Sequence, residues 1–185
     1  MSPRVLVVDN GSLSTAVLRR RFAEFGADVD VTPHHQLPPN ARRYQAVALT
    51  GTKIPADRGD YRTLIDLLRE CAVPVLGVCG GMHILGLAHG GALVRKGGRV
   101  GNHVVNVNVG DDLFSYVGPE VKLFQRHTLY MTQVPHGFRV VGWSDDCPIE
   151  IIRSEDGRLT GSQAHLEFRG DGHRIMRRFL ELAAG

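Results

Sequence analysis

Along the first half of the chain, the apolar positions switch between two kinds of pattern. RVLVVD (residues 4–9) is a short apolar run closed by a polar residue, which predicts a buried strand. SLSTAVLRRRFAEFG (12–26) then sets Val17, Leu18, Phe22 and Phe25 on one helical stripe and stops at Gly26. ADVDVTP (27–33) and QAVALTG (45–51) read as a second and a third strand. DYRTLIDLLRECA (60–72) reads as a second helix with Tyr61, Leu64, Ile65 and Leu68 turned inward. VPVLGV (73–78) is a fourth strand, and CGGMHILGLAHGG (79–91) a short helix punctuated by glycines. Strands alternating with helices predict a parallel sheet covered on both faces, with its ligand site beyond the carboxyl ends of the strands.

The pattern changes in the second half. VGNHVVNVNVGD, PEVKLFQRH, FRVVGWSDD and PIEIIRSEDGRLTGSQAHLEF are strand-like runs joined by Gly, Asp and Pro turns, which predicts antiparallel or mixed pairing. GHRIMRRFLELAA closes the chain as a helix with Ile175, Met176, Phe179 and Leu180 inward. No linker or repeat separates the halves, so residues 1–185 are expected to form a single domain.

Composition narrows the function classes. The net charge of +3 comes from scattered arginines rather than one basic tract, which argues against a nucleic-acid partner. The first apolar run is too short for a signal peptide and no later stretch could span a bilayer, so a cytoplasmic protein without a membrane partner is expected. Cys71, Cys79 and Cys147 have no metal-ligand spacing, and the histidines form no HxxxH or Cys-His grouping, so no metal is expected. No glycine loop precedes a lysine in the way that cradles phosphate, so neither a nucleotide nor another cofactor is expected.

The chemistry concentrates in two stretches. GVCGG (77–81) has the Gly-x-nucleophile-x-Gly spacing of a nucleophile elbow, with Cys79 where strand turns into helix. Free N–H groups and the dipole at that helix start favour the thiolate, and the N–H of Gly80 is placed to meet an oxyanion. In GSQAHLEF (161–168), strand alternation would project His165 and Glu167 to one face, as a base and its orienting carboxylate. LTGTK (49–53) ends the third strand beside the elbow, so a second oxyanion donor is expected from the backbone of Gly51 or Thr52.

Together these residues resemble the class I, triad-type glutamine amidotransferase family. GVCGGMH is similar to its Gly-Ile-Cys-Leu-Gly-His-Gln motif and GSQAHLEF to its Val-Gln-Phe-His-Pro-Glu motif. VLVVDNG, SDDCPIEIIR and the closing helix further resemble the glutaminase part of the GMP synthetases within that family. The resemblance implies a flavodoxin-like α/β fold: a central, mostly parallel sheet with helices on both faces plus a smaller antiparallel or mixed sheet. It also implies a glutaminase in which Cys79 is the nucleophile, His165 the base and Glu167 the orienter. Glutamine is cleaved through a thioester, and ammonia passes to a partner synthetase.

Several positions depart from the family pattern. His83 stands where the family has the glutamine that helps hold substrate, and Thr50-Gly51-Thr52-Lys53 replaces Ser-Gly-Gly-Pro. Lys53 would lower the Cys79 pKa, meet a substrate carboxylate, or simply be solvated. In QRHTLY, His127 fits the GMP synthetase histidine, but Leu129 replaces an aspartate. The segment is closer to the Tyr-His-Ser-Leu pattern of anthranilate-synthase-type glutaminases, in which the backbone of Thr128 and Leu129 would cradle the glutamine α-substituents. These changes leave two other readings open: a triad hydrolase acting on another amide or a γ-glutamyl conjugate, and a catalytically silent regulatory subunit.

Overall fold

The computed structural model describes residues 2–39, 41–168 and 170–185. Its elements follow the chain as β1 (Arg4–Asn10), α1 (Thr15–Glu24), β2 (Asp28–Pro33), β3 (Ala46–Thr52), α2 (Arg62–Glu70), β4 (Val75–Val78) and α3 (Gly80–Ala88). These are followed by β5 (Ala92–Val107), β6 (Glu120–Gln133), β7 (Phe138–Trp143), β8 (Ile151–Ser154), β9 (Leu159–Ser162) and α4 (Asp171–Ala184). All these strands belong to one sheet in the order β2-β1-β3-β4-β9-β8-β7-β5-β6. The first five of that order pair in parallel and the rest antiparallel. The antiparallel part is therefore continuous with the parallel part, joined where β9 pairs with β4 on one side and β8 on the other.

Strand alternation sorts the core into two layers. Val5, Val7, Ala46, Ala48, Leu76 and Val78 point to one face, where Leu18 and Phe22 of α1 and Ile175, Met176, Phe179 and Leu180 of α4 cover them. Leu6, Val8, Val47, Leu49 and Val75 point to the other, under Leu64 and Leu68 of α2 and Ile84 and Leu85 of α3. The inward stripes expected of α2 and α4 are thus the packed faces. In α1, Leu18 and Phe22 are buried, while Val17 is only half-buried and Phe25 caps the helix from outside it.

The antiparallel arm runs further than its pattern predicts. β5 begins at Ala92, ahead of the strand-like run VGNHVVNVNVGD, because the ladder with β6 absorbs Lys96, Gly97 and Gly98 as a register shift between Arg95 and Arg99. Among the described residues no helix is long and apolar enough to cross a membrane.

The turn from β4 into α3 is the tightest junction in the sheet. A Cβ on Gly77 would lie 2.7 Å from the carbonyl of Gly81, and one on Gly81 would lie 2.6 Å from the carbonyl oxygen of Leu49. Strand and helix backbones touch here, leaving no volume for a side chain. Gly77→Ala is expected to destabilise the protein by about 1–3 kcal/mol through overpacking. Urea unfolding checks this, and an unchanged midpoint would show that the junction has slack.

Candidate active site

Cys79 sits between β4 and α3 with φ 51° and ψ −108°, and it is the one non-glycine residue with positive φ among the described residues. Such a conformation is strained for any residue with a Cβ. It persists because both sides of the residue are tied: Cys79 N donates to the carbonyl of Ser162 at 2.7 Å, and His83 N donates to the carbonyl of Cys79 at 3.2 Å. Cys79 stays at the edge of the core, buried, and borders two cavities at the carboxyl end of β4. Gly80 follows at the first position of α3, where a Cβ would lie 2.6 Å from the backbone N of Thr52. The Gly80 and Thr52 backbones are therefore side by side next to the sulfur.

His165 does not lie on a regular strand. β9 ends at Ser162, and the next residues turn, held to β6 by one bridge in which His165 N donates to Phe124 O at 2.8 Å. The turn, rather than strand alternation, brings the ring and the acid together, with His165 Nδ1 2.8 Å from Glu167 Oε1. Glu167 is fully buried, and Oε1 also accepts a hydrogen bond from Ser14 Oγ at 2.7 Å, while Oε2 has no partner among the described residues. Its backbone carbonyl takes further bonds from Arg21 Nε at 3.0 Å and His173 Nε2 at 3.1 Å. With Nδ1 held by Glu167, the other ring nitrogen is the one left to face Cys79.

Burial of the His165 ring opposes its charge. Hydrogen bonds to Cys79 and Glu167, and the attraction of their negative charges, outweigh that cost and raise its pKa to about 10. The protonated ring thus adds stability that is complete below the ordinary 6.5 and is lost as pH rises through about 10.

Two cavities meet at Cys79. The smaller, about 160 Å³, is bordered by Gly80, His83, Arg95, His127, Thr128 and Leu129. The larger, about 500 Å³, is bordered by Ser12, Ser14, Gly51, Lys53, His165 and Phe168. Cys79, Thr52 and Arg126 line both. The residues expected to hold substrate are accordingly divided: His83, His127, Thr128 and Leu129 share the smaller cavity, whereas Lys53 stands in the larger one.

His83 and His127 are both neutral at physiological pH. Burial lowers each to about 4. A depressed histidine adds stability above about 6.5 that is lost as pH falls toward 4, the opposite direction to His165. His83 Nε2 donates to Gln163 Oε1 at 2.9 Å, which turns the Gln163 amide nitrogen toward Cys79 Sγ, 4.0 Å away. Gln163 is fixed in turn by its backbone N, which donates to Glu150 O at 2.7 Å. The fully buried Glu150 carboxylate is met by Arg99, by Ser144 Oγ at 2.8 Å and by Gln125 Nε2 at 2.9 Å.

Ser14, Gln163 and Arg126 are site residues that the sequence pattern does not single out. Gln163 lies inside GSQAHLEF and could be found there as the neighbour of His165 facing inward. Ser14 and Arg126 carry no local signal.

The model for class-I glutamine amidotransferases matches residues 6–182. The chain belongs to that family. It is 28% identical to the glutamine-hydrolysing GMP synthase of Streptococcus mutans over 95% of its length, and spans 36% of that relative. The same enzyme of Thermosipho africanus is likewise 28% identical over 97% of the chain, which again covers 36% of the relative. The chain thus spans about a third of the length of these relatives. The fold is shared with a protein of Thermoplasma acidophilum described as a candidate GMP synthase component, with a TM-score of 0.89 over all of this chain and 95% of that one at 22% identity. The amidotransferase fold and its parallel sheet are as the motifs imply.

Two measurements probe the geometry. Because glycine tolerates the Cys79 backbone and alanine does not, Cys79→Gly should be more stable in urea than Cys79→Ala by about 1–2 kcal/mol. Equal stability would remove the strain. In nitrogen NMR the His165 ring should stay protonated well above neutral pH, and Glu167→Gln should lower its pKa. Identical titration in both proteins would show that the carboxylate does not hold the charge.

Proposed function

We propose that this amidotransferase hydrolyses the side-chain amide of glutamine. The Cys79 thiolate adds to the amide carbon, and the resulting oxyanion is met by the N–H of Gly80 and by one from the adjoining Gly51–Thr52 backbone. Protonated His165 gives its proton to the amide nitrogen, the C–N bond breaks and ammonia leaves. Water, deprotonated by His165, then cleaves the γ-glutamyl thioester to glutamate and restores the thiolate. Glu167 keeps the ring in the tautomer and orientation both steps need.

The observation that carries this reading is the imidazole of His165 held between the sulfur of Cys79, buried but bordering two cavities, and a fully buried carboxylate. The smaller cavity supports it as the seat of the glutamyl group, with neutral His83 and His127 as uncharged walls and the Thr128–Leu129 backbone toward the α-substituents. The curated relatives are named for glutamine hydrolysis, and about two thirds of their length lies outside the match. A partner that consumes the ammonia is therefore part of the proposal, as is a single catalytic domain in the cytoplasm that needs no cofactor or metal and no nucleic acid or membrane partner.

The test is ammonia release from glutamine together with labelling by a glutamine-like chloromethyl ketone. Cys79→Ala should abolish both, and His165→Ala should lower kcat by about 10²–10⁴-fold, the usual scale of general acid–base catalysis. Labelling that persists in Cys79→Ala would overturn the assignment of the nucleophile.

A further inference from the structure

The larger cavity poses a question that glutamine hydrolysis leaves open. His165 lines it and is absent from the border of the smaller one, so the group that receives the His165 proton departs on this side. With glutamine that group is ammonia, which needs almost none of the 500 Å³ available. A space of this size falls within the range of sites that hold whole organic ligands, ~300–1,000 Å³.

Its charge is one-sided. Arg126 and Lys53 border it, and among the described residues none of those lining it is acidic. Among the described residues neither cation has an ion-pair partner there, in contrast to Arg95, which is engaged by Asp57 and Thr128 on the smaller side. The nearby carboxylates are already engaged: Glu167 lies behind the ring of His165, and Asp9 accepts from Gly11 N and Thr15 Oγ1 at 2.8 Å. The hydroxyls of Ser12 and Ser14 add polar surface without charge. Lys53, which borders only this cavity, and Arg126, which borders both, are exposed cations at the rim of a largely apolar chamber, and they suit a leaving group that carries its own anion.

We infer that the site accepts γ-glutamyl conjugates of amino acids, with the γ-glutamyl group in the smaller cavity and the amino-acid portion in the larger one, its carboxylate against Arg126 and Lys53. The inference rests on the glutaminase reading for the identity of the nucleophile and base, and extends it to a second substrate class. The chemistry balances in the same way. Cys79 Sγ bonds to the γ-carbonyl carbon, the amide C–N bond breaks, and the His165 proton passes to the departing nitrogen. Water then releases glutamate, so that conjugate plus water gives glutamate plus a free amino acid.

The experiment compares three substrates on the full chain: glutamine, γ-glutamylglycine and γ-glutamylglycinamide, the last matching the second in shape without its charge. The expected result is a kcat/KM for γ-glutamylglycine about tenfold above that for γ-glutamylglycinamide, the scale of one charge-assisted hydrogen bond. Arg126→Ala and Lys53→Ala should each bring that ratio toward one, and Arg126→Lys should keep part of it. Because the readout is a ratio within each variant, a general loss of activity does not mimic the effect. Equal turnover of the two conjugates, or a ratio unmoved by either substitution, overturns the inference. If glutamine is hydrolysed and Cys79 is labelled while neither conjugate is cleaved, this inference falls and the glutaminase reading stands. If Cys79 is not labelled and glutamine is not hydrolysed, both fall.

Discussion

The constraint on which the site depends is the backbone of Cys79. A residue with a side chain is forced into a conformation that suits glycine, at a turn so tight that Gly77, Gly80 and Gly81 have backbone or Thr52 where a Cβ would be. The strain is borne by the sheet: β4 is flanked by β3 and β9, and the carbonyl of Ser162 at the end of β9 fixes the Cys79 N–H. The sulfur is therefore positioned by main-chain geometry rather than by a flexible side chain. That is also why its surroundings tolerate so little volume.

Around that fixed sulfur, burial disfavours the charge of three histidines alike, and anionic partners reverse it for one of them. His83 and His127 lose water without gaining an anionic partner, and both are held neutral. His165 also loses water, but it gains Cys79 on one side and Glu167 on the other, and holds its proton. The result is one charged imidazole beside Cys79 and two uncharged ones lining the smaller cavity. The second arm of the arrangement is neutral: His83 donates to Gln163, whose amide is in turn directed at the sulfur.

The antiparallel arm supplies the rigidity behind this. Glu150 carries its carboxylate in the interior, acceptable only because Arg99, Ser144 and Gln125 meet both of its oxygens. Its backbone carbonyl then anchors Gln163, two residues before His165. Packing of β5 to β8 is in this way linked to the position of the loop that carries His165, and β6 adds Arg126 at the boundary of the two cavities.

Much of this protein is legible in its sequence because the relevant forces are local. The two-sided burial of β1 and β3 follows from continuous apolar runs, the inward faces of α2 and α4 follow from their periodicity, and the spacing in GVCGG announces an elbow that only small neighbours permit. His165 and Glu167 are also visible as a pair, but for a different physical reason than the one that unites them, since a turn and not a strand sets their distance. Tertiary structure alone decided the rest. Ser14 reaches Glu167 across 153 positions, β5 runs through a glycine pair because β6 completes its ladder, and Lys53 stands in the cavity beside His165 while Arg126 borders both cavities. Periodicity and motif spacing record what neighbouring residues impose on one another, whereas the charge and volume around the sulfur are set by strands that meet only when the whole sheet has closed.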